Sequence, residues 1–223
     1  MNGSANAFFD AIANRYDRTY AIGPVESRRR MSAVLAALPA PLAIILDLGV
    51  GTGRELSALL DAGHLVTGLD VSSAMLERCA RRSRPVPLVL ADLWRPLPFE
   101  AAAFDACIAL HGTLAHPPDA GALGRLSQEL TRVVRPGGLW FCEVPSPAWL
   151  DLAGTIETGG VGHARRVRRT GLRTCVLSDT ASGACIEARL FSQAEWRAAL
   201  EPHWSVQIEA IDDVEWRVIA RRV

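Results

Sequence analysis

The sequence contains no lysine, so its 24 basic side chains are all arginine, and 24 acidic side chains balance them to a formal net charge of zero. A broad basic surface for nucleic acid is therefore not expected. The chain has no run of about 18 apolar residues, so no membrane-spanning helix is predicted. The N-terminus lacks a basic segment followed by an apolar one, which favours a cytoplasmic protein over a secreted one.

Cysteine is scarce, with five residues and no Cys-x-x-Cys pair. Two of them, Cys107 and Cys142, fall inside apolar segments that resemble buried strands. This pattern is typical of reduced core cysteines and not of disulfides or metal ligands. We therefore expect no metal site.

A length of 223 residues suits a single α/β domain. Residues 1–40 have a helical pattern, and residues 43–144 alternate strand-like with helix-like segments. Residues 145–171 have a weaker, glycine-containing pattern, which predicts an insertion that covers the functional site. Residues 172–223 contain a helix start and finish with two strand-like segments, which predict a terminal antiparallel hairpin.

The most informative segment joins an apolar run to alternating glycines. Residues 44–48 indicate a strand buried on both faces, with Asp47 near its end, and Gly49, Gly51 and Gly53 follow. Glycine lets the backbone turn sharply and lets a ligand approach closely, because it has no Cβ atom. With the helix that follows, this unit predicts a site for a nucleotide or related ligand at the carboxyl edge of a parallel sheet.

The spacing of these glycines separates two kinds of ligand. A dinucleotide loop has the pattern Gly-x-Gly-x-x-Gly, which holds a pyrophosphate at the helix N-terminus. Here Arg54 stands near the place of the third glycine. The side chain of Asp47 would repel a phosphate but suits a ligand with an ammonium group. An NAD(P)-dependent oxidoreductase stays open as an alternative, although its loop pattern is matched only in part.

Two further strand-like segments also end in an acidic residue. Asp70 lies 17 residues after Gly53, close to the roughly 20-residue spacing at which an acid binds ribose hydroxyls. Met75, in the next predicted helix, suits either contact with an adenine ring or core packing. The carboxylate of Asp92 can accept a hydrogen bond from an exocyclic amine, and the N–H of Leu93 can face a ring nitrogen. Three such acids at one sheet edge favour a bound ligand.

In order and spacing, these segments resemble the class I S-adenosylmethionine-dependent methyltransferases, in the group similar to the menaquinone and ubiquinone biosynthesis enzymes. Residues 8–17 resemble that family's lid helix, and residues 104–110 resemble its fourth strand. Residues 126–141 resemble the helix, the Arg-Pro-Gly-Gly turn and the fifth strand of that family. Residues 191–196 resemble the start of a later helix.

This resemblance implies a doubly wound, Rossmann-like sheet of seven mostly parallel strands. The implied strand order is 3-2-1-4-5-7-6, with strand 7 antiparallel. It also implies S-adenosylmethionine as cofactor, with S-adenosylhomocysteine as the product. The residues that it implies for cofactor binding are Tyr16, Asp47, Gly49, Gly51, Gly53, Asp70, Val71, Met75, Asp92, Leu93 and Leu110.

Methyl transfer from a sulfonium requires donor and acceptor in line, about 3 Å apart, with water excluded. A base helps when the acceptor must lose a proton. His111 follows the fourth strand, and His116 lies in a loop at the same edge, so both are candidate catalytic bases. Alternatively, His111 shapes the cofactor pocket and His116 caps a helix or meets solvent. A mechanism by proximity alone, without a base, also stays open.

Residues 165–169 form a dense cluster of charge, Arg-Arg-Val-Arg-Arg. An exposed edge strand with its arginines in water is the favoured interpretation, and an acidic substrate, a phosphate or RNA is the alternative ligand. His163 and Trp149 are candidates for acceptor contact, whereas Trp196 is assigned to the core. The run Arg28–Arg30 is expected on an exposed helix face.

The predicted function is methyl transfer from S-adenosylmethionine to a small molecule, at oxygen, nitrogen or carbon. An RNA or protein methyltransferase is less favoured, because the chain lacks an Asn/Asp-Pro-Pro-Tyr-type motif and has no net charge. A catalytically silent cofactor-binding module is a further alternative. The protein is expected to be a monomer or homodimer that acts without nucleic acid or membrane.

Overall fold

The computed structural model describes residues 4–39, 42–152 and 165–223. The N-terminal segment forms α1 (Ala5–Ile12), a short 3-10 turn, α2 (Tyr16–Thr19) and α3 (Pro24–Ala37). This agrees with the helical pattern of the first 40 residues. Within the described ranges, no helix combines the length and apolar character needed to cross a bilayer.

The rest of the chain alternates strands and helices. The first part contains β1 (Ile44–Leu48), α4 (Leu56–Asp61), β2 (Leu65–Asp70), α5 (Ser73–Arg82), β3 (Leu88–Leu90), β4 (Phe104–Ala109), α6 (Ala122–Val133) and β5 (Val134–Pro145). The second part contains α7 (Trp149–Leu152), β6 (Arg165–Arg169), β7 (Thr174–Asp179), β8 (Cys185–Arg189), α8 (Gln193–Leu200), β9 (Trp204–Ala210) and β10 (Glu215–Arg222).

Seven strands form the central sheet in the order β3-β2-β1-β4-β5-β10-β9. Strands β1 to β5 run parallel to one another, and β10 is antiparallel to both β5 and β9. This confirms the predicted doubly wound α/β sheet, because β9 and β10 occupy the places of strands 6 and 7. The terminal hairpin is confirmed as well.

The central strands are apolar because helices cover both faces of the sheet. Alternate residues of β1 point to opposite faces, so Leu46 and Leu48 pack with α6 and α8, while Ile45 packs with α3 and α4. Each fully buried aliphatic side chain of this kind stabilises the fold by about 1.5–3 kcal/mol relative to its exposed state. Trp196 is buried in the core, as predicted, and so are Cys107 and Cys142.

A second, antiparallel sheet with the order β6-β7-β8 lies between β5 and α8 in the chain. The sequence pattern predicts β6 as an edge strand but does not predict this sheet, because the three strands are only five or six residues long and β6 is rich in arginine. Its inner face packs against Phe8 and Ile12 of α1. β6 is an edge strand with Val167 buried and Arg168 exposed, which confirms the edge-strand interpretation. The inner-face residues are Val167, Cys175, Leu177, Ile186 and Ala188.

The Pro136–Gly138 turn does not separate α6 from β5 but lies inside β5, which begins directly at Val134. A Cβ atom on Gly138 would lie 2.7 Å from the carbonyl oxygen of Asp105, so the close approach of β4 and β5 requires glycine there. The glycines of the predicted insertion and His163 fall within 153–164, outside the described residues.

Candidate active site

The loop between β1 and α4 turns at the carboxyl edge of the central sheet. Gly49 and Gly51 adopt φ angles of +69° and +53°, which L side chains rarely adopt. A Cβ atom on Gly49 would lie 2.4 Å from Cγ2 of Thr113, so the space admits only glycine. The N–H of Gly51 donates to Oδ2 of Asp70 at 2.8 Å, which ties the loop to the end of β2.

Asp70 retains acceptor capacity after it has bound this loop. Its Oδ1 atom accepts a hydrogen bond from the N–H of Ser72 at 2.9 Å. The N–H of Val71 also bonds this carboxylate, so these three bonds leave about one of its roughly four acceptor positions. Burial raises the pKa of Asp70 above its usual value, although the N–H groups of Ser72 and Gly51 act in the opposite direction.

A cavity of about 550 Å³ runs along this edge, within the usual size range of small-molecule sites. The predicted site residues in its wall are Tyr16, Gly49, Gly51, Asp70, Val71, Met75, Asp92, Leu93, His111 and His116. Its roof comes from α1, α2 and the second sheet, and is largely apolar and aromatic. Roof residues include Phe8, Phe9, Tyr20, Trp149, Leu177, Ala188 and Leu190.

The three other predicted cofactor residues lie elsewhere. Asp47 and Leu110 line a small adjoining cavity of about 40 Å³. Gly53 lines neither cavity, because its Cα faces α5, where an added Cβ would lie 2.7 Å from Sγ of Cys79. The glycine at 53 therefore allows close packing of the loop against α5.

The small cavity is acidic. Asp47 and Glu55 line it and are only 6% and 5% exposed. Burial, followed by the charges of Glu55 and Asp70, raises the pKa of Asp47 well above its usual value. Glu55 is not predicted from the sequence. Its only signal there is its acidic character and its position two residues after Gly53, the last loop glycine.

His111 is held by hydrogen bonds at both ring nitrogens. Nε2 lies 2.6 Å from Oε1 of Glu55, and Nδ1 lies 3.0 Å from NH1 of Arg30. A guanidinium group can only donate, so Nδ1 accepts this bond and Nε2–H donates to the carboxylate. Neither nitrogen is left to take a proton from an acceptor, and the geometry therefore does not favour His111 as a base.

Arg28 and Arg29 are exposed, as expected, but Arg30 is buried, which corrects the expectation for that residue. Its Nε contacts the carboxylate of Glu143 on β5, and NH2 lies 3.3 Å from Oε1 of Glu215 on β10. Glu143 also accepts a 2.8 Å hydrogen bond from Arg217. A buried carboxylate requires a nearby cation, and this requirement turns Arg30 inward.

His116 has a different environment. Its Nδ1 lies 2.8 Å from the carbonyl oxygen of Glu187, which can only accept, so Nδ1 carries the proton. This leaves the lone pair on Nε2, and the residue lines the main cavity. Burial lowers the pKa of His116 below its usual 6.5, so the ring is neutral at pH 7. The geometry fits a base that accepts a proton on Nε2.

The N-terminal helices are tied to the loop beneath them. Asp17 accepts hydrogen bonds from Oγ1 of Thr52 at 2.7 Å and from Arg54 at 3.1 Å. The Arg54 guanidinium also lies 5.5 Å from the ring centre of Tyr16. Burial raises the pKa of Tyr16, so its hydroxyl stays protonated and can donate a hydrogen bond within the cavity. In the part of the chain that the structure describes, no cluster of His, Cys, Asp or Glu is suited to hold a metal ion.

Comparisons with known proteins find methyltransferases. Residues 45–138 match a family model described as a methyltransferase domain. The demethylmenaquinone methyltransferase of Mycobacterium sp. (strain KMS) is 35% identical over 146 residues, which are 63% of this chain and 60% of that protein. The 18S rRNA (guanine-N(7))-methyltransferase of Bos taurus is 39% identical over 66 residues, which are 30% of this chain and 24% of that protein.

The chain thus spans 60% or less of the length of these two curated relatives. Among solved structures, the CcbJ methyltransferase from Streptomyces caelestis superposes with a TM-score of 0.76 at 19% identity. That superposition covers 99% of this chain and 100% of the other, and it shows a common fold. The matched domain, the strand order and the glycine loop are similar to those of the class I S-adenosylmethionine-dependent methyltransferases.

Proposed function

We propose that the protein transfers the methyl group of S-adenosylmethionine to a small-molecule acceptor. The observation that carries this proposal is one continuous cavity, lined at the sheet edge by the predicted cofactor residues and roofed by apolar side chains of α1 and the second sheet. A covered apolar space beside the cofactor excludes water, as in-line methyl transfer requires.

The residues at the edge fit this cofactor. Asp70 has acceptor capacity left for a ribose hydroxyl. Asp92 lies in the cavity wall with Leu93, and its Oδ1 accepts a 2.9 Å hydrogen bond from the N–H of Trp94, which orients the carboxylate. Gly49 and Gly51 bring the backbone close to the ligand without a Cβ atom. When bound, S-adenosylmethionine supplies a methyl group already activated by a positive sulfur.

The acceptor would occupy the part of the cavity beside β4, β5 and β10. With the cofactor over the ends of β1, β2 and β3, the remaining wall includes Glu26, Arg30, Pro145, Val214 and Glu215. This wall carries both carboxylates and a guanidinium group, so it suits a polar acceptor. The acceptor atom stays open among oxygen, nitrogen and carbon.

In the proposed reaction, a lone pair of the acceptor forms the new bond to the methyl carbon. The sulfur–methyl bond breaks, and its electron pair stays on sulfur. An ammonium acceptor must first give a proton to Nε2 of His116, which frees its lone pair, and a hydroxyl acceptor gives its proton to Nε2 as the new bond forms. The roof over the cavity keeps water from competing for the methyl group.

The demethylmenaquinone methyltransferase relative supports a small-molecule acceptor, whereas the shorter match to an rRNA methyltransferase raises RNA as a second class. The feature that would favour RNA is the arginine-rich edge strand β6, but the chain as a whole has no excess positive charge. Four of the five cysteines are buried, which supports the proposal of a cytoplasmic location.

The proposal is tested by calorimetric titration of S-adenosylhomocysteine, S-adenosylmethionine and NADH into the wild-type protein. We expect both adenosyl ligands to bind, and Asp70→Ala to weaken them at least tenfold. Asp61→Ala, at an exposed aspartate on α4, is the matched control and should bind normally. Binding of NADH alone, or of no ligand, would overturn the cofactor assignment. Salt-sensitive RNA binding that is lost in Arg166→Gln/Arg168→Gln would overturn the small-molecule acceptor.

A further inference from the structure

The small cavity beside the glycine loop contains an unpartnered buried oxygen. Oε2 of Glu55 is fully shielded from solvent and has no hydrogen-bond partner among the described residues. Glu55 itself is 5% exposed and lines the cavity together with Asp47. Buried polar atoms are nearly always hydrogen-bonded, and an exception at a cavity wall indicates a place for a ligand donor.

The size and charge of this cavity restrict the donor. Its volume of about 40 Å³ is little more than the roughly 30 Å³ that one water molecule occupies in the liquid. The wall carries the carboxyl groups of Asp47 and Glu55 and the guanidinium group of Arg54, which is paired with Asp17, so the two acids favour a cation. An ammonium group offers three N–H donors in a compact head. A guanidinium group is larger and planar, and a hydroxyl group would not offset the negative charge.

The cavity also lies next to the place proposed for the cofactor. It shares Tyr16, Gly49, Gly51 and His111 with the wall of the main cavity. A ligand in the main cavity can therefore extend one short group into the small one. Of the groups in S-adenosylmethionine, the α-ammonium of the methionyl part has the required size and charge.

We propose that Glu55 is a second carboxylate, beside Asp47, that binds the α-ammonium group of the cofactor, and that His111 holds Glu55 in position. This proposal rests on the proposed cofactor. It gives His111 a positioning role, because its contact with the cofactor is made through Glu55. The predicted catalytic base is then His116 alone.

A chain of hydrogen bonds supports the positioning role. Nε2–H of His111 donates to Oε1 of Glu55 at 2.6 Å and leaves Oε2 as the oxygen without a hydrogen-bond partner among the described residues. Nδ1 of His111 accepts from Arg30 at 3.0 Å, and Arg30 is held by Glu143. His111 has a φ of +55°, a conformation unfavourable for a non-glycine residue. Hydrogen bonds at both ring nitrogens stabilise this conformation.

The charges of the pair also favour a cationic ligand. Burial, and then the neighbouring carboxylates Glu55 and Asp70, raise the pKa of Asp47. An ammonium group between Asp47 and Glu55 would offset that repulsion. The glycine loop closes the cavity on the other side through Gly49 and Gly51, so the ligand would be sequestered from water.

The test compares two ligands by calorimetry. One is S-adenosylhomocysteine, and the other is its deamino analogue, in which hydrogen replaces the α-amino group. We expect Glu55→Gln to weaken S-adenosylhomocysteine at least tenfold and the analogue less than threefold. Glu77→Gln, at an exposed glutamate of α5, is the matched control and should leave both dissociation constants unchanged. Equal weakening of both ligands, or no weakening, would overturn the role of Glu55.

His111 is tested in the same assay. Asparagine tolerates positive φ, so His111→Asn preserves the backbone while it removes the bond to Glu55. We expect it to reproduce the ligand selectivity of Glu55→Gln, and the double variant to be no weaker than Glu55→Gln alone. Additive losses, or equal losses for both ligands, would overturn the positioning role. Failure of both ligands to bind the wild-type protein would instead overturn the proposed cofactor itself.

Discussion

Arg15 and Asp179 form a buried ion pair that joins the N-terminal helices to the second sheet. The two side chains are 11% and 6% exposed. The carboxylate also accepts hydrogen bonds from the N–H and the hydroxyl of Ser182, at 2.7 and 2.6 Å. Because both partners belong to the segments that roof the cavity, this ion pair fixes one roof segment against the other.

Loss of this ion pair should destabilise the protein. We expect Arg15→Gln to lower the free energy of unfolding by about 3 kcal/mol, because it leaves a buried carboxylate without its cation. Urea unfolding measures this change. Arg81→Gln, which breaks an exposed pair with Glu77, should cost less than about 0.5 kcal/mol. Similar losses in the two variants would contradict the structural role of Asp179.

The same pair predicts a loss of stability in acid. Burial opposes ionisation of Asp179, but the hydrogen bonds from Ser182 and Arg15 outweigh it and hold its pKa below the usual 3.8. The folded-state pKa is thus the lower one, so the contribution is present above pH 3.8 and is lost as the pH falls through the folded-state value. The free energies of unfolding of wild type and Asp179→Asn should therefore converge at that pH. A difference that stays constant with pH would argue against this linkage.

Gly49→Ala should damage the cofactor loop. The added Cβ overlaps Thr113 at 2.4 Å, and the φ of +69° adds about 1–2 kcal/mol of strain for a non-glycine residue. We expect a lower melting temperature and at least tenfold weaker binding of S-adenosylhomocysteine. Thr113→Ala in the same chain removes the overlapping atoms and should restore part of the stability. Unchanged binding in Gly49→Ala would show that the loop does not approach the ligand.

Asp47→Asn should change stability and ligand binding in opposite directions. Burial and the nearby carboxylates raise the folded-state pKa of Asp47 above 3.8, so the native state retains a proton that the unfolded state loses. Stability therefore falls as the pH rises from about 4 towards the folded-state pKa. The variant should be more stable than wild type at pH 7 and similar at pH 4, while it binds S-adenosylhomocysteine more weakly. A variant less stable than wild type at pH 7 would contradict this account.

His116→Gln should impair proton removal without loss of the cofactor. General-base catalysis contributes about a hundredfold or more, so we expect a comparable fall in kcat with labelled S-adenosylmethionine and an acceptor found by screening. Because burial places the pKa of His116 below 6.5, the wild-type rate should decline only below that pH as the ring protonates. The variant should lack this decline of the rate at acid pH. Its dissociation constant for S-adenosylhomocysteine should stay within threefold of the wild-type value. A wild-type-like decline at acid pH in the variant would exclude this base.

Short segments of the sequence determined the cofactor edge of this protein. The glycines at 49 and 51 and the acids at 70 and 92 each follow a strand, and parallel strands end at the same edge of a sheet. Local order along the chain therefore places these residues together before any long-range contact is known. The apolar character of the strands likewise predicted a sheet covered on both faces.

Long-range contacts decided what the local pattern could not. Arg30 has the sequence context of an exposed helix residue, and only Glu143, 113 positions away, turns it inward. The states of His111 and His116 depend on partners 56 and 71 residues distant. Periodicity reports burial, but a hydrogen-bond partner far along the chain leaves no periodic signal. For that reason the sequence by itself determined the cofactor edge, whereas only the tertiary structure decided that Glu55 and His111 meet beside the glycine loop and that the second sheet closes over the cavity.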